Sequence, residues 1–221
     1  MDRREFFTKT KKRTPAFHRV SAAGLTPYAG NWTNNEVSHL LKRTMFGATK
    51  QDIDHFIAMS PGAAVDELLN NIPVNGTPLR DYGLIEDEFG VMHDDLGVVQ
   101  GQTWVNDLNT MSDPEVRGSI NQLRTGSLLK WWTGLILNQN RSILEKMVMF
   151  WHHHFSVQME EVGNATMLWR HHKIFRDNPL GSVKQLARDV TIDPAMLFHL
   201  NGYLNSKLAP DENYARELQE L

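Results

Sequence analysis

The sequence predicts an all-α protein, an irregular orthogonal array of about eight helices with one long loop insertion. Two observations lead to this prediction. Apolar residues recur at intervals of three and four along most of the chain, and residues that favour helix starts precede those runs. Only residues 72–111 depart from the pattern, because two prolines and five glycines interrupt every helical period there.

The first 30 residues form a basic segment, in which seven lysines and arginines stand against two acidic residues. The run Arg3-Arg4-Glu5-Phe6-Phe7 resembles a twin-arginine export motif, but no apolar segment follows it. We expect a disordered basic tail in residues 1–30. The alternative is a signal that exports the protein from the cytoplasm to the cell envelope or periplasm. Residues 31–221 are then the helical part.

Three short helices are predicted before the insertion, each from its own start signal. Asn34 or Asn35 opens the first, Thr49 with Asp52 opens the second, and Pro61 stands at the first position of the third. The insertion of residues 72–111 follows. Within it, the apolar pairs at 91–92 and 98–99 predict a small hairpin.

The longest predicted helix begins at Asp113-Pro114-Glu115, with aspartate as the cap and proline at the first helical position. It runs to about residue 137, and its second half is apolar nearly all round, so we expect it at the centre of the fold. Further helices are predicted at about 161–177 and 181–191, from Asp193-Pro194, and from Pro210.

A histidine-rich helix lies between these elements. Ser142 and Glu145 have the spacing of a capping box. At about 100° per residue, His152 and His154 fall on opposite flanks of the apolar stripe and His153 points away from it. Three histidines so arranged cannot all bind one metal ion while the helix stays regular.

The composition excludes several classes of function. The chain has 221 residues, a net charge of −3, 41% hydrophobic and 22% charged residues, and no cysteine. Disulfides, thiolate metal sites and a cysteine nucleophile are therefore absent. No excess of positive charge over the whole chain indicates a nucleic-acid partner, and no apolar run of about 18 residues indicates a membrane span.

Three parts of the chain resemble one protein family, the bacterial family of unknown function numbered 1800. They are residues 38–49, residues 145–155 with Trp151-His152-His153-His154-Phe155, and residues 193–218 with Asp211-Glu212-Asn213-Tyr214-Ala215-Arg216-Glu217-Leu218. The resemblance extends from about residue 35 to the end. It supplies candidate positions but no reaction.

The resemblance also implies partners. Members of the family are about twice as long as this chain, which looks like an N-terminal half, so the first expected partner is a missing C-terminal half of the domain. Members tend to be encoded beside a second family, numbered 1501 and related to sulfatases, whose product is a second candidate partner. The apolar edge of the last helix at Tyr214, Leu218 and Leu221 is expected to be exposed.

The candidate site residues lie on two helices. His152 and His154 could each serve as a metal ligand or a general base, and the alternative is a half-buried histidine bonded to a backbone carbonyl. On the last helix, Asn213, Glu217 and Glu220 share one face, and Arg216 lies beside it.

Two carboxylates and an amide suit a hard divalent cation, and His154 would complete a mixed site for zinc, iron or manganese together with Asn213, Glu217 and Glu220. The alternative for the acidic residues is a set of ordinary surface ion pairs. Elsewhere, the side chains of His171 and His172 are predicted to be solvated and Asp193 to cap a helix. Asp94-Asp95 could bind a cation, but paired aspartates in a glycine-rich loop are more often turn formers.

Two functional hypotheses follow. The first is a metal-binding protein or metal-assisted enzyme at the bacterial cell envelope, with its site between the histidine helix and the C-terminal helix. The second is a non-catalytic helical scaffold that binds a protein or saccharide partner. A shared site requires the side chains of His154 and Glu217 to lie within about 10 Å of each other.

Overall fold

The computed structural model describes residues 28–210 and 212–220, and it confirms the all-α prediction. The basic tail and the arginine pair at 3–4 lie outside the described residues. Within the described part the helices, in chain order, are α1 Asn34–Thr44, α2 Lys50–Ile57, α3 Pro61–Asn70, α4 Pro114–Leu137, α5 Leu144–His154, α6 Met159–Val162, α7 Ala165–Asp177, α8 Val183–Thr191, α9 Pro194–His199 and α10 Glu212–Glu220, with a 3₁₀ turn at Gly202–Leu204.

The helix starts follow the local capping chemistry. Thr49 and Asp52 form a capping box at the start of α2, and the Asp113 side chain accepts two backbone N–H bonds at the start of α4, as predicted. For α1 the predicted asparagine caps are wrong. Thr33 caps this helix, because Glu36 returns a bond to its backbone N–H and completes a capping box one residue earlier.

The insertion contains one short hairpin, β1 Ile85–Glu86 with β2 Met92–His93. The predicted pairing of residues 91–92 with 98–99 is wrong. The turn lies earlier because the Asp87 carboxylate accepts bonds from the backbone N–H groups of Phe89 and Val91. Gly90, at φ 79°, supplies the left-handed conformation that closes this turn.

Three groups of buried residues hold the described chain together. One lies within α1–α3. A second joins the insertion to α4, α6 and α7, and a third joins α5, α7, α8 and α9. From Trp32 onward, the described residues form one compact unit.

The central helix is α7 rather than the predicted α4. Helix α7 packs against α4, α5, α8 and α9. The apolar residues in the second half of α4 are not all buried, since Leu129 and Leu137 are 40% and 78% exposed. None of the helices in the described residues has both the length and the apolar character needed to cross a membrane.

Candidate functional site

The histidine helix α5 sends its three histidines in different directions. His152 is half-buried, whereas His153 and His154 are exposed. The ring of His154 stacks on Phe150, with the ring centres 6.3 Å apart. Of the two histidines predicted to flank the apolar stripe, only His152 therefore turns inward.

His152 meets a second histidine that the sequence reading placed in solvent. Nε2 of His152 lies 2.9 Å from Nδ1 of His172 on α7. His171 and His172 are 1% and 2% exposed, so the prediction that they are solvated is wrong. The spacing of residues 168, 171, 172 and 175 is that of a buried helical stripe, and this was the signal that could have located them.

The His152–His172 pair is neutral. Burial, followed by electrostatic interaction with His171 and His153, lowers the pKa of His152 to about 3, and burial lowers the pKa of His172 well below its ordinary value. The guanidinium of Arg176, which can only donate, lies 3.5 Å from Nε2 of His172. Nε2 is then the acceptor, and we assign the proton of His172 to Nδ1, from which it is donated to His152.

His171 forms a second buried contact, with Asp193. Its Nδ1 lies 2.9 Å from the Asp193 carboxylate and its Nε2 lies 2.9 Å from the backbone carbonyl of Phe155. A carbonyl can only accept, so Nε2 carries a proton, and His171 and Asp193 share one more. The same Asp193 oxygen caps α9 by accepting from Met196, as predicted. Its other oxygen, Oδ1, is buried without a hydrogen-bond partner in the described residues.

Glu145 anchors the third part of this network. Its two oxygens accept from both terminal nitrogens of Arg176, at 2.7 and 3.0 Å, and one of them also accepts from Trp132 at 3.0 Å. The predicted capping box of Ser142 and Glu145 is therefore wrong. Glu145 is 5% exposed and points into the fold, because a bidentate arginine and an indole N–H satisfy its charge there.

The combined network links α4, α5, α7 and α9. A general base works best with a pKa near the working pH, and a pKa of about 3 makes His152 a weak one. Trp132 and Phe175 pack against its ring, with centroids 4.9 and 4.8 Å away. This arrangement orients helices and holds neutral imidazoles between aromatic rings.

The candidates on α10 bind one another. Arg216 donates to Asn213 and Glu217, at 2.6 Å each, and to Glu220 at 3.3 Å. The Arg216 and Glu220 side chains are 57% and 60% exposed. This is the surface ion-pair arrangement that the sequence left open as the alternative for these acidic residues.

Tyr214 corrects the prediction of an exposed apolar edge on α10. It is 8% exposed, and its hydroxyl donates to the backbone carbonyl of Thr191. Leu218 packs against the third core group, and Leu221 lies outside the described residues. Helix α10 is thus attached to α8 and the 3₁₀ turn through its own apolar face.

No three histidine, aspartate or glutamate side chains among residues 28–210 and 212–220 group in a way that could hold a metal ion. The candidates His154, Glu217 and Glu220 are included in that statement. A shared metal site with Asn213 therefore stays a prediction. The pair His152 and His172 is close, but 2.9 Å is a hydrogen-bond distance, and tetrahedral zinc would separate two nitrogens by about 3.3 Å.

A second buried polar cluster, which the sequence reading missed, attaches the insertion to α4. Asp95 receives two bonds from Arg124, at 2.8 and 2.6 Å, and one from the Tyr82 hydroxyl at 2.6 Å. The Arg124 and Asp95 side chains are 0% and 2% exposed. The predicted turn at Asp94-Asp95 is confirmed, because the backbone N–H of Val98 donates to the carbonyl of Asp95. The prediction missed that a buried arginine 29 residues away pairs with the Asp95 carboxylate.

Further hydrogen bonds and an ion pair hold the insertion in the core. Arg80, also buried, donates to the carbonyl of Val98 and pairs with Asp94. The indole of Trp104, fully buried, donates to Ser127 on α4 at 2.7 Å. The inner half of the insertion is thus built into the core although it has almost no regular secondary structure.

The insertion as a whole is acidic, and it exposes many apolar side chains. Residues 72–111 hold seven of the 26 acidic residues of the chain and only one of its 23 lysines and arginines. Ten large apolar side chains of the insertion are exposed: Ile72, Val74, Leu79, Leu84, Phe89, Val91, Met92, Leu96, Val99 and Leu108. A cleft of about 90 Å³ lies between the hairpin and the first turn of α4.

Comparison with known proteins gives a family and no function. The profile of the family described as Protein of unknown function (DUF1800) matches residues 39–221. No curated protein and no solved structure shows a significant match to the chain. The matched region includes α5, α7, α9 and α10 together with the insertion. The chain therefore belongs to the DUF1800 family.

Proposed function

We propose that this chain is a non-catalytic helical module that binds a protein partner through the insertion of residues 72–111. One observation carries the proposal: the insertion is anchored by a buried ion pair and yet exposes ten large apolar side chains. Exposed apolar surface of this extent is typical of interaction sites. A loop already held in place also loses less conformational entropy when a partner binds.

The buried histidines and Glu145 support the non-catalytic part of this proposal. His152, His171 and His172 are bonded within the fold, and Glu145 is bonded to Arg176. A general acid or base must reach a substrate proton within hydrogen-bond distance. These groups instead satisfy one another between helices, which is a structural role.

The test is site-specific photo-crosslinking in the source cell. A benzoylphenylalanine placed at Phe89, which is 82% exposed, should give a discrete protein adduct that mass spectrometry identifies. The matched control carries the same group at Phe150, which is 53% exposed on α5 and lies outside the insertion. The product of the sulfatase-like family numbered 1501 is a partner to test in purified form.

Adduct formation at Phe89, but not at Phe150, supports the proposal when the identified partner also binds the purified protein and Phe89→Ser weakens that binding. Equal adduct patterns at both positions, or no adduct at Phe89, would overturn it. Because both positions are exposed phenylalanines, the incorporated group should leave the fold intact at either one.

A further inference from the structure

We propose that the cleft between the β1–β2 hairpin and the start of α4 binds a basic peptide segment of a partner protein, with an apolar side chain beside its lysines or arginines. This inference rests on the proposed function and names the chemistry of the partner. The cleft is bounded by residues 85–89 on one side and by Asp113, Glu115, Val116 and Ser119 on the other.

The charge of the cleft is one-sided. Five carboxylates line it, and two of them are already used within the fold. Asp87 binds His93 and two backbone N–H groups, and Asp113 caps α4. Glu86, Glu88 and Glu115 are exposed. Among the described residues these three have no hydrogen-bonded or ionic side-chain partner, so their charge is available to a cation.

The apolar component comes from the hairpin turn. Phe89 is 82% exposed, and it stands on a turn that the Asp87 carboxylate and Gly90 hold in one conformation. The hydrogen bond with His93 is the largest cause that lowers the pKa of Asp87. The ionised carboxylate accepts the two backbone N–H bonds that close the turn. An exposed aromatic ring in the same cleft as three carboxylates matches a ligand that is both cationic and apolar.

The charge distribution over the chain favours a peptide over a single metal ion. The net charge of the insertion is −6, from seven acidic residues and one arginine, while the whole chain has −3. Arg80, Arg124 and Lys130 pair with three of these carboxylates, away from the cleft. The charge left at the hairpin is negative and attracts a partner of opposite sign. A metal ion would need convergent ligands, and the carboxylates of the cleft do not form a three-ligand group.

The experiment measures fluorescence anisotropy of three labelled octapeptides with the purified chain. The first contains lysine and phenylalanine, the second has glutamate in place of lysine, and the third has serine in place of phenylalanine. We expect the first to bind most tightly, with an affinity that falls as salt rises from about 50 to about 200 mM. Loss of either component from the peptide should weaken binding about tenfold or more.

The matched variants locate the site. Glu86→Gln/Glu88→Gln/Glu115→Gln should weaken binding of the first peptide about tenfold. The control Asp66→Asn/Glu160→Gln/Glu212→Gln removes the same charge from exposed residues outside the cleft and should change it less than about twofold. All six residues are exposed, so the variants should fold alike.

Equal weakening by both triple variants would indicate diffuse attraction and overturn the inference. Tighter binding of the glutamate peptide would also overturn it, and in that case crosslinking at Phe89 would still support a protein-binding insertion. Binding of the lysine–phenylalanine peptide without a Phe89 adduct in cells would count against the proposed function alone.

Discussion

Nε2 of His152 on α5 lies 2.9 Å from Nδ1 of His172 on α7, and the two rings share one hydrogen bond as neutral imidazoles. Trp132 packs against both rings, with its ring centre 4.9 Å from that of His152 and 4.7 Å from that of His172. His152 and His172 thus form a contact between two helices. Its clearest consequence is in the pH dependence of stability.

Acid should destabilise the protein below about pH 6.5, the pKa of an unfolded histidine. Above that pH both histidines are neutral in the folded and unfolded states. Below pH 6.5 the two histidines bind protons in the unfolded chain but stay neutral in the folded protein, because folding lowers their pKa values. The free energy of unfolding should fall by up to about 1.4 kcal/mol per pH unit for each histidine.

Urea denaturation at about pH 7.5, 6.5 and 5.5 measures this slope above the range in which carboxylates titrate. The double variant His153→Gln/His154→Gln changes two exposed histidines and should keep the slope. A free energy of unfolding that stays level from pH 6.5 to 5.5 in the unaltered protein would contradict the assignment of a neutral pair.

Breaking the buried Asp95–Arg124 pair should strongly destabilise the protein. Arg124→Met leaves a carboxylate that is 2% exposed without its cation, and we expect a loss of about 3–5 kcal/mol in the free energy of unfolding. The double variant Asp95→Leu/Arg124→Met removes both charges and should lose less than Arg124→Met alone. Chemical denaturation of the two variants provides the measurement.

A matched control is Asp54→Asn, which breaks the exposed ion pair with Lys50. It should change stability much less than Arg124→Met, because solvent screens the exposed charges. If both substitutions cost the same, the buried pair is not what attaches the insertion to α4.

Gly202 should not tolerate a methyl group. A Cβ atom at this position would lie 2.5 Å from the ring of Tyr214 and 2.9 Å from Leu197. We expect Gly202→Ala to lower the free energy of unfolding by about 1–3 kcal/mol, because α10 must move away from the 3₁₀ turn. Thermal unfolding followed by circular dichroism measures the change.

The control for that substitution is Gly62→Ala at the start of α3, where an added Cβ meets no atom within 4 Å. Alanine there should leave stability equal or slightly higher, because it has a better helix propensity. An unchanged melting temperature in Gly202→Ala would show that Tyr214 does not pack on Gly202 in solution.

Added metal should not stabilise the protein if it is a non-catalytic module. Zn²⁺ or Mn²⁺ in small molar excess, after treatment with a chelator, should leave the melting temperature within about 1 °C of the metal-free value. A larger rise that disappears in both His154→Ala and Glu217→Gln would instead support the metal site expected from the sequence. Differential scanning calorimetry distinguishes the two results.

Local chemistry was enough to predict many elements of this protein. Thr49 with Asp52 and Asp113 with Pro114 start helices where the sequence predicts, because a cap bonds to backbone groups two or three residues away. The helical class follows from apolar spacing alone, and Asp193 was recognised as a cap for the same local reason. These interactions span only a few residues, so the sequence determines them.

The candidate site depended on contacts that no local pattern contains. Glu145 had the spacing of a cap but bonds to Arg176, 31 residues later, and Asp95 bonds to Arg124, 29 residues later. A buried charge must find a partner wherever the packed helices place one, so only the tertiary structure decides which polar residues are structural. By itself the sequence determined the helical class, the caps of α2, α4 and α9, and the family. Packing decided that the inner histidines bind one another and that the insertion carries the exposed apolar and acidic surface.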